Sequence, residues 1–272
     1  MSVKVEASGR RSVQIELEVE GTPEEVWAAI ATGPGISAWC MPSELEVRDG
    51  KPVALKMSFG PGAEGTSRVT AYDAPHLFAL ETDSWIPGSP PIAAEWHVAA
   101  KAGGTCTVRI VQSLFASTDE WDGQIEALEG GWSAFLATLR IYLKHFRGQK
   151  ASLRKFMAPT PGSEAEVWDK LTKALGLEVA RVGQRWSAPA DLPALAGVPE
   201  YLSEVPYDAL IRIDTPAPGI AAFGTVNMGG PTMVGMNLYL YGEDTAAAAE
   251  REIARWQAWF EANFPLPPPE AE

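Results

Sequence analysis

The chain has 272 residues, 46% of them hydrophobic, with a formal net charge of −13. That length suits one large domain or two small ones, and the apolar fraction is enough for a packed core. So acidic a surface repels phosphate backbones and anionic lipid heads, so neither nucleic acid nor membrane insertion is expected. Two cysteines, Cys40 and Cys106, lie far apart and do not make a disulfide framework.

Near the start, "SVQIELEVE" alternates Val13, Ile15, Leu17 and Val19 with polar residues, the pattern of a half-buried strand. In "GTPEEVWAAIATGPG", Thr22 can cap a helix, Pro23 suits its first position and Glu25 completes a capping box. Gly33-Pro34-Gly35 reads as the stop of that helix. A short helical turn follows at "ISAWCMP". From about Ser43 to Phe115 the pattern becomes strands divided by turns, such as "PVALKMSF", "HLFALET", "AAEWHVAA" and "TCTVRIVQSLF". Such a series implies an antiparallel sheet.

A long helix is expected from about 119 to 147. Leu128, Trp132, Phe135, Leu136, Leu139 and Phe146 share one face, and Ser117 with Glu120 offers a capping box. Gly130 and Gly131 each cost a helix interior about 1 kcal/mol relative to alanine. Gly131 falls on the flank of the apolar stripe, where a missing side chain permits close backbone approach or leaves a void.

After Pro159-Thr160-Pro161-Gly162 the pattern restarts, with "SEAEVW" from Ser163 echoing "TPEEVW" from Thr22. A second amphipathic helix, "AAAAEREIARWQAWFEANF", places Trp256, Trp259 and Phe260 with the spacing of Trp132, Phe135 and Leu136. A degenerate duplication explains both echoes. In this copy no clear strand precedes the first helix, and "SAPADLPALAGVPEYLSEVP" resists assignment. The expected organisation is therefore a first domain over residues 1–150, a linker at 151–162, a smaller related domain at 163–265 and a disordered tail at 266–272.

The order of strand, helix, broken second helix, antiparallel strands and long terminal helix resembles the START-like helix-grip superfamily, also called SRPBCC. The likeness rests on "VEGTPEEVWAAIATGPGISAWCMP", "EGTSRVTAYDAPHLFALET" and "DEWDGQIEALEGGWSAFLATLRIYLKHF". Within that superfamily the first half is similar to bacterial homologues of the activator of heat-shock-protein-90 ATPase. The resemblance implies an α+β fold, a curved sheet gripping the long helix around a hydrophobic cavity. Its strand lining would be Leu55, Met57, Phe59, Phe78, Leu80, Trp96, Val98, Val108 and Ile110, with Gln112 as one inward polar group. The helix would add Leu128, Gly131, Trp132, Phe135, Leu136 and Leu139, and Trp39 and Met41 would stand at the mouth.

His76, His97 and His145 form no metal-ligand spacing, and no nucleophile elbow or phosphate loop occurs. The expectation is thus no metal, no cofactor and no catalytic residue. Cys40 reads as a small buried hydrophobe. The leading functional expectation is a cytoplasmic protein holding a small hydrophobic or amphipathic molecule. The resemblance keeps open a protein partner of the co-chaperone kind and a cyclase- or dehydratase-type enzyme. The latter would draw on Glu95, His97, Arg109 or Gln112.

Overall fold

A computed structural model describes residues 4–5, 11–60, 63–83, 89–115, 122–205, 207–227, 230–242 and 245–266. The chain divides into two compact units, residues 1–150 and 151–272. Each is an antiparallel sheet with helices, so the fold class is α+β with two helix-grip sheets in tandem.

In the first unit, β1 (Lys4–Val5) and β2 (Arg11–Glu20) precede α1 (Pro23–Ile30) and α2 (Gly33–Ser37). A meander follows: β3 (Ser43–Arg48), β4 (Lys51–Gly60), β5 (Ala63–Asp73), β6 (Leu77–Thr82), β7 (Ile92–Lys101) and β8 (Thr105–Leu114). The sheet order is β1-β2-β8-β7-β6-β5-β4-β3, so the first long strand closes beside the last. α3 (Asp122–His145) then packs back along β2. The alternation read in β2 is real: Val13, Leu17 and Val19 are buried, while Glu16, Glu18 and Glu20 are exposed. The Ser117–Glu120 capping box lies outside the described residues, as do the side-chain surroundings of residues 122–131.

Local chemistry sets the helix starts. The Thr22 hydroxyl accepts from the Glu25 amide at 3.3 Å, and the Glu25 carboxylate accepts from the Thr22 amide at 2.8 Å. Two otherwise orphaned donors are thereby satisfied. Gly33-Pro34-Gly35 does more than stop α1. It forms the first turn of α2, capped by the Thr32 hydroxyl accepting from the Gly35 amide at 3.0 Å. Proline is at home there because its missing N–H would be unpaired in any case. Gly35 is held so close to α1 that an added Cβ would stand 1.9 Å from the Ala28 carbonyl oxygen.

The second unit corrects two expectations. Residues 151–160 are not a linker but β9 (Ala151–Thr160), which pairs along its whole length with β14 (Thr232–Tyr241). The second copy therefore does have a strand before its first helix, α4 (Glu164–Leu175). The unassigned proline-rich stretch contains β10 (Trp186–Ser187) and β11 (Ala196–Glu204), followed by β12 (Tyr207–Thr215) and β13 (Gly219–Val226). Sheet order is β10-β11-β12-β13-β14-β9, and α5 (Thr245–Asn263) packs on β9 and β14.

First long strand beside last strand, capped helix after it, long helix after the last: both units follow this rule. Ser163 and Glu166 repeat the capping box. The glycine before each cap, Gly21 at φ 128° and Gly162 at φ 114°, occupies backbone space that side chains rarely enter. The tail from residue 267 lies outside the described residues.

Candidate functional site

The inward face of the first sheet is set by its register. Leu80, Ala94 and Gln112 stand side by side on β6, β7 and β8, next to the row Phe78, Trp96 and Ile110. Period-two alternation along β8 buries Cys106, Val108, Ile110 and Gln112 together. The sheet, α1, α2, the residues after α2 and Trp132 of α3 enclose a cavity of about 150 Å³.

Of the residues expected to line it, Trp39, Leu55, Met57, Phe78, Leu80, Trp96, Gln112 and Trp132 do so. Phe59 does not: it is 47% exposed. It stands near the end of β4, where the pairing with β5 slips between Ser58 and Gly60, and lies beyond the cavity. Met41, Val98, Val108, Ile110, Leu136 and Leu139 are buried but lie off the cavity. They form solid core, as does most of the C-terminal half of α3, where Leu139 and Leu143 are fully buried. Phe135 is half-buried, its ring 6.2 Å from that of Trp132, and also does not line the space. Leu128 and Gly131 fall among the residues whose side-chain surroundings are not described.

Sequence reasoning missed Ile30 of α1, Ile36 of α2, and Ser67, Thr82, Ile92 and Ala94 of the strands. Four of these were within reach. Counting by twos from Leu80 gives Thr82, and from Trp96 gives Ala94 and Ile92; Ser67 pairs with Leu55. Cys40, read as a buried hydrophobe, lines the cavity too. Burial pushes its thiol up to about 12, so it stays protonated.

Aromatic rings shape the walls. The rings of Trp39 and Trp96 meet edge to face at 6.3 Å, and those of Trp96 and Trp132 at 5.3 Å. Trp39 is fixed by its indole N–H donating to the Ala29 carbonyl at 3.0 Å. The polar groups in this apolar space are few. Ser67 and Thr82 share a hydrogen bond at 2.7 Å. Gln112 is 6% exposed, and its buried side-chain oxygen has no hydrogen-bond partner. Leaving a buried polar group unpaired costs about 1–3 kcal/mol.

Glu95 and His97 lie on the other face of the sheet, 3.3 Å apart, with Arg109 paired opposite His97. They do not reach the cavity. Among the described residues no cluster of His, Cys, Asp or Glu has metal-ligand geometry, and no helix is long and apolar enough to cross a membrane.

Residues 10–156, more than half of the chain, match the family described as polyketide cyclase / dehydrase and lipid transport. The chain belongs to that family. No curated protein sequence matches it. Among solved structures it is similar to the di-domain ARO/CYC BexL of the BE-7585A biosynthetic pathway, at 14% identity and a TM-score of 0.44. That match covers 93% of this chain and 95% of the other. CalU16 from Micromonospora echinospora matches at 16% identity and TM-score 0.41, over 53% and 81% of the respective chains. The Aha1 dimer of Colwellia psychrerythraea matches at 17% and 0.40, over 50% and 98%.

Proposed function

We propose that the first unit binds a small, largely apolar molecule carrying one hydroxyl group, in the cavity between its sheet and helices. One observation carries this reading: the unpaired side-chain oxygen of Gln112 in a wall made mostly of rings and aliphatic side chains. A pocket of this kind gains affinity from apolar burial, at about 25 cal/mol per Å², and selectivity from a few placed polar groups. A hydroxyl both donates and accepts, so it satisfies the amide whichever way the amide faces. A space of about 150 Å³ admits a benzene-sized ring.

The family's description joins cyclase or dehydrase chemistry with lipid transport, and the lining favours carriage over chemistry. Its described polar groups are an amide, two hydroxyls and a thiol held in its protonated form. None of these exchanges a proton readily near neutral pH.

Phenol and benzene serve as matched probes, read by calorimetry and by quenching of the tryptophan fluorescence. Phenol is expected to bind more tightly. Gln112→Leu is expected to erase that preference, about tenfold or 1.4 kcal/mol, while raising the thermal stability of the empty protein. Failure of both probes to bind, or an undiminished preference in the variant, would refute the reading.

A further inference from the structure

The second unit has a groove of its own, floored in part by residues of its buried core. α4, the turn after it and the β11–β12 hairpin enclose an open space of about 630 Å³. Its apolar floor comes from Trp168, Leu177, Leu202, Tyr207 and Ala209. The Trp168 and Tyr207 rings stand 6.3 Å apart, tilted at 45°.

Two features of the rim define what would fit. First, Val205 lines the groove and is 79% exposed, and Val179 and Val182, next in sequence to the lining residues Glu178, Ala180 and Arg181, are 72% and 57% exposed. Large apolar side chains left in water beside an apolar groove mark an interaction surface. A small molecule filling the floor would leave Val205 wet, whereas a polypeptide lying across the mouth would cover it. Second, Asp169, Glu178 and Glu204 line the groove, and none forms an ion pair among the described residues. The lone cation, Arg181, donates through its guanidinium to the Ala180 carbonyl at 2.8 Å rather than to any of these acids. The groove is therefore oily at its base and negative at its edge.

From this we infer that the groove is a docking site for a basic polypeptide segment, one that inserts an apolar side chain against Trp168 and Tyr207 and sets lysine or arginine against Glu178 and Glu204. Charge complementarity of this kind speeds encounter and selects partners, while the buried anchor supplies most of the affinity.

The test pans a random peptide library against the intact chain. Recovered peptides are titrated against the wild type and against the Glu178→Lys/Glu204→Lys variant, whose two substitutions are at exposed positions and whose folding is checked by thermal unfolding. The expected result is a recovered set combining an aromatic or aliphatic anchor with neighbouring basic residues. Its affinity should fall about tenfold or more in the variant and weaken with added salt. Recovery of no such set, or of peptides that bind the variant equally well, overturns the proposal. So does a concentration-dependent dimer of the chain that the same substitutions dissolve, since the groove would then be filled by a second copy.

Discussion

The two units share a plan and differ in what fills it. In the first, Trp39, Trp96 and Trp132 lean on one another around a hollow, and Trp132 on α3 remains half-buried. In the second, Trp256 and Phe260 of α5 are wholly buried, and Phe260 stacks on Phe156 at 6.2 Å with planes 13° apart. Phe223, Met236 and Phe264 complete a solid interior. Nothing in the described second unit corresponds to α2, whose Ile36 helps wall the first unit's cavity. The same element order thus yields a container or a plug, depending on a few side chains and one short helix.

Truncation should separate the two most sharply. Trp256→Ala removes a fully buried ring from close-packed surroundings and should cost about 3–5 kcal/mol. Trp132→Ala, at the edge of existing empty space, should cost less than half as much by the same reasoning while abolishing binding of aromatic probes. Chemical denaturation checks both; equal costs would mean that the first interior is as tightly packed as the second.

A smaller effect separates the units by pH. Burial, with help from the nearby Glu164 carboxylate, raises the Asp208 carboxyl to about 6. The folded state then holds its proton more tightly than the unfolded chain does. The group's contribution is most favourable below about pH 4 and is lost as pH rises through 6. Asp208→Asn should therefore stabilise the second unit by about 1–2 kcal/mol at neutral pH and by little at pH 4, allowing for partial exposure. Hydrogen exchange at both pH values reads this in the second unit, and the first should not respond.

The smallest test probes what the units have in common. Thr22→Ala and Ser163→Ala remove equivalent caps, and each should cost about 1 kcal/mol. A marked inequality, read by thermal unfolding, would show that the matching capping boxes are not matched in energy.

Much of this architecture was legible in the residues. Alternation marked β2 and β8, and the capping boxes located α1 and α4 because their chemistry is local. β9 was misread for a physical reason. As an edge strand it buries Phe156, Ala158 and Thr160 on one side only, and Arg154, Lys155 and Pro159 give it the look of a connection. The candidate site was half legible. Strand residues two apart fell into place, but Ile30 and Ile36 look like any apolar helix position, and only the tertiary arrangement turns them toward the hollow. Phe59 fits the alternation but stands near the end of its strand, beyond the hollow, which a count by twos does not show. Gln112 was found by parity alone; that its side-chain oxygen lacks a partner depends on neighbours from other strands.

Between Leu80 and Gln112, the floor of the hollow is a single methyl group, that of Ala94. Guest size therefore rests on the smallest tile in that row. A leucine laid there would bring the floor up to the amide and make the first unit as solid as the second, so one codon separates a vessel from a stone.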